Sequence, residues 1–182
     1  RHAHQQLVAV LVVDGGSSDG TLSLCAGAAE QVLAAPRGRA RQMNAGARAA
    51  TASALLFLHA DTALPGDAPA LVARALEDKA WGRFDVRIDG RSRWLPLVAA
   101  LMNLRSRATG IATGDQAIFV RRADFPGFAP IALMEDVAFS KAMKRVSPPA
   151  CLRERVRTSA RRWQRRGVLR TVLLMWRLRL AY

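Results

Sequence analysis

The chain alternates short apolar runs with longer stretches whose apolar residues recur at helical spacing, the pattern of an α/β domain on a mostly parallel central sheet flanked by helices. Leu7–Val13 is a continuous valine-rich run closed by Asp14, which predicts a buried strand. Gly15–Gly20 is a turn, and its Ser17, Ser18 and Asp19 suit the N-cap of a helix from about Thr21. A short strand over Gln31–Ala34 is stopped by Pro36, and Arg37–Ala50 reads as a helix. Ala54–Ala60 is the second strong strand, running up to Asp61, and Asp67 caps a helix to about Lys79. Further along, the pattern predicts a strand over Trp81–Ile88 and a helix over Trp94–Arg107 with an apolar stripe at Leu97, Leu101 and Leu104. A short strand follows at Gln116–Arg121, a helix opens at Glu135 and runs through Arg145, and Cys151–Val156 reads as a strand. Gly167–Tyr182 is a basic, apolar stretch expected to be helical, with Arg170, Arg177 and Arg179 interspersed. Without repeats or a linker, residues 1–182 are expected to form one domain.

Composition narrows the class. A length of 182 residues with 51% hydrophobic content supports a real core and excludes a disordered chain. The two cysteines, Cys25 and Cys151, have no spacing that suggests a disulfide framework or a metal knot. No leader opens the sequence, and no apolar run reaches the roughly 18 residues of a membrane span. These features lead to the expectation of a cytoplasmic protein, and the abrupt start to the expectation that the natural chain begins earlier.

The net charge of +14 is not spread evenly. Residues 141–182 hold 13 Lys or Arg against the single acid Glu154, while the other residues nearly balance. Such a cluster suits anionic lipid, nucleic acid or a phosphorylated substrate, and it also fits a solvated basic face.

Candidate chemistry gathers at strand ends. Asp14 and Asp61 each follow an apolar strand, where open α/β sheets place their ligands; either alone also serves as a turn-former. An acid facing such a crevice suits Mg²⁺ or Mn²⁺, which takes one or two protein carboxylates and fills its other positions with water and phosphate oxygens. His59 shares the face of Asp61 if the strand stays regular, as a second ligand, a hydrogen-bond donor or a structural histidine. Arg37, Arg39 and Arg41 at the start of a helix form a reasonable diphosphate site, although arginine is also a good surface helix former. Asp115 follows Gly114 and leads into a strand, which commits it to turn hydrogen bonds. Asp136 opens a helix beside Glu135, as a cap or as a base whose pKa the neighbouring carboxylate raises.

In order and spacing, these segments resemble the family 2 glycosyltransferases of the GT-A fold. Val12–Thr21 resembles their nucleotide-binding segment, and Gly38–Ala47, with Arg39, Arg41 and Asn44, the helix that follows it. His59-Ala60-Asp61 occupies the place of the DXD motif, Glu135-Asp136 that of the ED motif carrying the base, and Arg162-Trp163 the end of QxxRW. The resemblance runs from about Leu11 to Trp163, and its wording is similar to a bacterial subgroup labelled transferase 2, radical-SAM/selenodomain-associated. Three positions depart from the pattern. The family's usual first strand is missing from the start, His59 replaces the first Asp of DXD, and Ser159 stands in place of the Gln of QxxRW.

The resemblance implies an inverting transfer from a UDP- or GDP-linked sugar to an acceptor hydroxyl, assisted by Mn²⁺ or Mg²⁺. The donor would lie over Asp14, with Arg39, Arg41, Asn44 and His59 around it and Asp61 on the metal. Asp136 would be the general base, and Asp115, Gln116, Glu135, Arg162 and Trp163 would position the acceptor. A donor-binding half over about 1–80 and an acceptor-binding half over about 81–163 would precede the 167–182 helix. From its length and its arginines, that helix is expected to attach peripherally to an anionic inner membrane face or to pack on the domain or on a second subunit, and no nucleic acid is expected as a partner. Two rivals are a nucleotidyltransferase of similar fold and a basic binding module for nucleic acid or anionic membrane. The first should release pyrophosphate, and the second leaves the ordered acids unused.

Overall fold

The structure, a computed structural model, describes residues 8–25 and 27–161. Arg162, Trp163 and the 167–182 segment therefore lie outside the described residues. The first strand, β1 (Leu11–Asp14), is followed by a turn and α1 (Thr21–Cys25), which Asp19 caps by accepting from the Thr21 amide at 3.1 Å. Next come β2 (Gln31–Ala34), α2 (Arg39–Ala49) and β3 (Ala54–Phe57). A two-residue strand, β4 (Thr62–Ala63), leads to α3 (Ala68–Asp78), with a proline in its first turn. The second half is β5 (Trp81–Asp89), α4 (Leu95–Thr109), β6 (Ile118–Arg121), α5 (Glu135–Met143) and β7 (Ala150–Ser159).

β1 and β2 pair in parallel, with Leu11 opposite Gln31. The larger sheet has the order β3-β6-β5-β7-β4 and is mixed. Only β5 and β7 run parallel in it; β6 is antiparallel to both β3 and β5, and β4 to β7. The α/β architecture of the expectation holds, whereas the mostly parallel sheet is corrected. A helix between two strands marks a parallel crossover only when it carries the chain back to the sheet's starting end. The passage through α4 does not, and β6 runs back along the first half of β5, placing Val120 opposite Trp81. Gly82 allows this crowding, since a Cβ there would stand 2.4 Å from the Phe119 ring and 2.5 Å from the Ala150 carbonyl.

Two apolar clusters meet on the sheet. One packs Val72 and Leu76 of α3 and Leu95 and Ala99 of α4 with Phe84, Val86, Phe119 and Val156. The other joins Trp81, Ile118 and Val120 to Phe139 and Met143 of α5, with Phe128 stacked on Phe139 at 4.7 Å. On α4, Leu97, Leu101 and Leu104 face outward, and the helix buries Leu95, Ala99, Asn103 and Ser106 instead. The polar choice has a local cause. The β5–β7 register shifts between Phe84 and Asp85, and the Asn103 amide fills the gap by bonding both the N–H (2.9 Å) and C=O (3.0 Å) of Val86. Beside it, fully buried Arg83 pairs with Asp85, which also holds Arg107 at 2.7 Å.

Candidate active site

The site begins where β1 ends. The Asp14 carboxylate accepts from the amides of Gly16 (2.8 Å) and Ser17 (2.9 Å) and from the Ser17 hydroxyl. The Ser17 hydroxyl, then these amides, hold its pKa below the usual carboxylate value, so Asp14 is an ionised staple for its turn. Arg37 braces the same turn from the other side, donating to the carbonyls of Gly15 and Gly16 at 3.1 Å each. Gln42 of α2 donates to the Val13 carbonyl at 2.9 Å and locks the helix against the strand. Gln42 was not among the expected site residues, although it lies inside the Gly38–Ala47 segment. Arg39 and Arg41 are exposed in the first turn of α2, which carries no acid of its own.

Asn44, expected near the donor, is committed elsewhere. Its amide accepts from Phe128 N–H and donates to Phe128 C=O, both at 2.8 Å, and so fixes the segment preceding α5.

β3 ends at Phe57, so the regular strand that would align His59 with Asp61 does not exist. His59 and Asp61 lie instead in the connection to β4, where the Thr62 amide bonds back to the His59 carbonyl at 3.0 Å. Its half-buried ring turns to Asp115, with Nδ1 3.3 Å from a carboxylate oxygen. Asp61 is exposed, and its backbone carbonyl accepts from the Ser159 amide at 3.1 Å. Among the described residues no group of three or more His, Cys, Asp or Glu side chains could hold a metal. A cation that takes one protein carboxylate and completes its shell with diphosphate oxygens and water still fits Asp61.

The acidic end of the site is built by α5 and the 3-10 turn at Gly114–Gln116. Asp136 accepts from the Gly114 amide at 2.9 Å and from the Val137 amide at 2.8 Å. Burial raises its pKa first, and the charges of Glu135 and Asp115 add to the rise; the two amides oppose it. Glu135 is buried, with Arg39 of α2 3.6 Å from its carboxylate. His59, Gly114, Glu135 and Asp136 line a small pocket walled by Phe57 and Phe128. A Cβ on Gly114 would stand 2.4 Å from the His59 ring, so a larger residue there would displace the ring or the turn. Gln116, expected to touch the acceptor, is fully buried; it accepts from the Thr113 amide at 3.1 Å and closes the turn that presents Gly114. Of the expected site residues, Arg39, His59, Asp115, Glu135 and Asp136 are brought together from α2, the β3–β4 connection, the 3-10 turn and α5. Asp14 closes its own turn, Arg41 and Asp61 are exposed, Asn44 and Gln116 are committed to structural bonds, and Arg162 and Trp163 lie outside the described residues.

The family model described as Glycosyl transferase family 2 matches residues 2–128, which include the Asp14 turn, α2, His59, Asp61 and Asp115 and stop short of Asp136. A solved structure, described as a crystal structure of a mycobacterial protein, superposes with a TM-score of 0.57 at 18% identity. The match covers 84% of this chain and 55% of that one, so this chain spans about half the length of its structural relative. It supports the GT-A-type α/β fold. No curated protein matches the sequence. With the model matched across most of the chain, the chain belongs to glycosyl transferase family 2.

Proposed function

We propose that the chain transfers a sugar from a nucleoside-diphosphate sugar to an acceptor hydroxyl by a single inverting displacement, with Asp136 as the base. Family membership supports glycosyl transfer in general, and the observation that carries the finer reading is the environment of Asp136. Its half-buried carboxylate is held in place by the Gly114 amide and lines the pocket beside His59. A carboxylate raised in this way is a stronger base than one in water, and its orientation is fixed before the acceptor arrives.

In this reading the acceptor oxygen attacks the anomeric carbon as the bond to the diphosphate breaks, and its proton passes to Asp136. Arg39 and Arg41 at the start of α2 receive the diphosphate, where the helix N-terminus adds its own positive end. Asp61 would hold a divalent cation, Mn²⁺ or Mg²⁺, which supplies charge neutralisation on the leaving group. Asp14 keeps the turn under the nucleotide closed and ionised. His59 and Asp115, joined across 3.3 Å, border the space between donor and acceptor.

The test is incubation of the purified chain with UDP- and GDP-sugars, each metal and a panel of acceptors, followed by product analysis. Release of nucleoside diphosphate with a glycosylated product of inverted anomeric configuration is expected. Pyrophosphate release would indicate nucleotidyl transfer, and a retained configuration would remove Asp136 from the role of base in a single displacement.

A further inference from the structure

We propose that the outward face of α4 seats the protein on an anionic lipid bilayer. Trp94, Leu97, Leu101 and Leu104 are 54%, 51%, 56% and 63% exposed. Their spacing of three, four and three residues puts all four within an arc of about 80° at ~100° per residue. The buried face, Leu95, Ala99 and Ser106, lies about opposite. The stripe is thus a continuous apolar ridge turned away from the core, which a soluble surface helix does not need.

Charge selects the occupant. Between Asp89 and Asp115 the chain carries no acid, and since Arg107 is paired with Asp85, the arginines left on this stretch are Arg91, Arg93 and Arg105. Arg91 and Arg93 are exposed at the start of the ridge, and the Arg93 guanidinium sits 5.6 Å from the Trp94 ring. An indole beside arginines is the arrangement that settles at headgroup level, with leucines below and guanidinium groups among the phosphates.

Two protein occupants fit less well. A second copy laid on the ridge would bring arginines against arginines, with no acid in either segment to offset them. The chain's own 162–182 segment has six arginines and no acid, and would meet the same repulsion. The Ala160 amide bonds the Asp89 carbonyl at 3.0 Å, so the described chain leaves β7 at the corner where α4 is about to begin. The basic, apolar stretch of α4 therefore begins at an exposed corner of the sheet, and a negatively charged sheet of lipid satisfies it. At 15 residues α4 is about 22 Å long, short of the ~30 Å hydrocarbon core, so it would lie in the surface and not cross it.

The experiment is flotation of the full chain with vesicles of phosphatidylcholine alone and of phosphatidylcholine mixed with phosphatidylglycerol, at low and high salt. The wild type should float only with the mixed vesicles and be released by salt. The double variant L101S/L104S should bind them about tenfold more weakly, given the apolar area it withdraws. Its thermal transition and sedimentation should match the wild type, because both leucines are exposed. Absent flotation of the wild type, or equal flotation of the variant, would overturn the proposal. A lowered transition would mean that the chain itself covers the ridge, and a shift from dimer to monomer that a second copy does; either would also overturn it.

Discussion

Asp136 stands under opposing pulls, and burial wins over the two amides that bind it. Two consequences have opposite signs. Below the ordinary carboxylate value near 3.8 the group is protonated in folded and unfolded chains alike. Between that value and the raised one the folded state binds more protons, so this group's contribution to stability falls as pH rises. Turnover needs the ionised base and should rise across the same window, so the acid limb of kcat/KM should lie above the usual carboxylate range. Replacing Asp136 by Asn should remove that limb and lower kcat by about 10² to 10⁴, with nucleotide affinity nearly unchanged. Calorimetry with nucleoside diphosphate, run beside a pH–rate profile, checks both halves. Asp14 has the reverse sign. Its lowered pKa stabilises the fold above the ordinary value, and that contribution is lost as pH falls through the folded one. Gly114 gives a steric test at the same scale. An alanine there must displace the His59 ring or the turn whose amide holds Asp136. Turnover of Gly114→Ala should fall with the melting temperature little changed, and the His59 ring signals should move in an NMR spectrum.

Among the elements, legibility followed how far each one's apolar pattern was set by packing alone. β2 came out at its expected residues, and α2 and α3 within two residues at each end, since Pro36 stops the strand and alanine-rich stretches make the two helices. β3 is shorter than its apolar run, because the His59–Thr62 bond folds the chain back before Asp61. β7 is longer than its apolar part. Arg155 and Arg157 alternate with buried Val156 and Thr158, a period-two signal diluted by charge on the outward face. In the site, the acids were visible as strand-end and helix-start residues. The uses of Asn44 and Gln116 were not, because Asn44 bonds Phe128, which is distant in sequence, and Gln116 is buried in closing its own turn. α4 was legible as a helix, while which of its faces is buried depends on a bulge in another element. Asn103 answers that bulge, so Asn103→Leu should leave the Val86 N–H and C=O unpaired in the core. A loss of about 2 kcal/mol is expected, measured by urea denaturation, whereas Leu97→Ser on the outer face should change stability little.

At the scale of the molecule, α2 is held to α5 by charge and to the segment preceding α5 by the Asn44 clasp. Arg39 reaches buried Glu135 across 3.6 Å, yet it also stands in the turn of α2 proposed to receive the diphosphate. One guanidinium therefore faces two anions, one resident and one arriving, and the two demands separate in a double-mutant cycle. Arg39→Ala leaves Glu135 buried without this cation; with Arg39 half exposed, the cost is expected to be about 1 kcal/mol. The same change should weaken binding of nucleoside diphosphate. Adding Glu135→Gln removes the buried charge, so the double variant should regain most of the lost stability in a thermal melt. Its nucleotide affinity should stay low, because the diphosphate still lacks its arginine. If affinity returned together with stability, Arg39 would act only by holding α5 in place, and the diphosphate contact would have to be reassigned to Arg41.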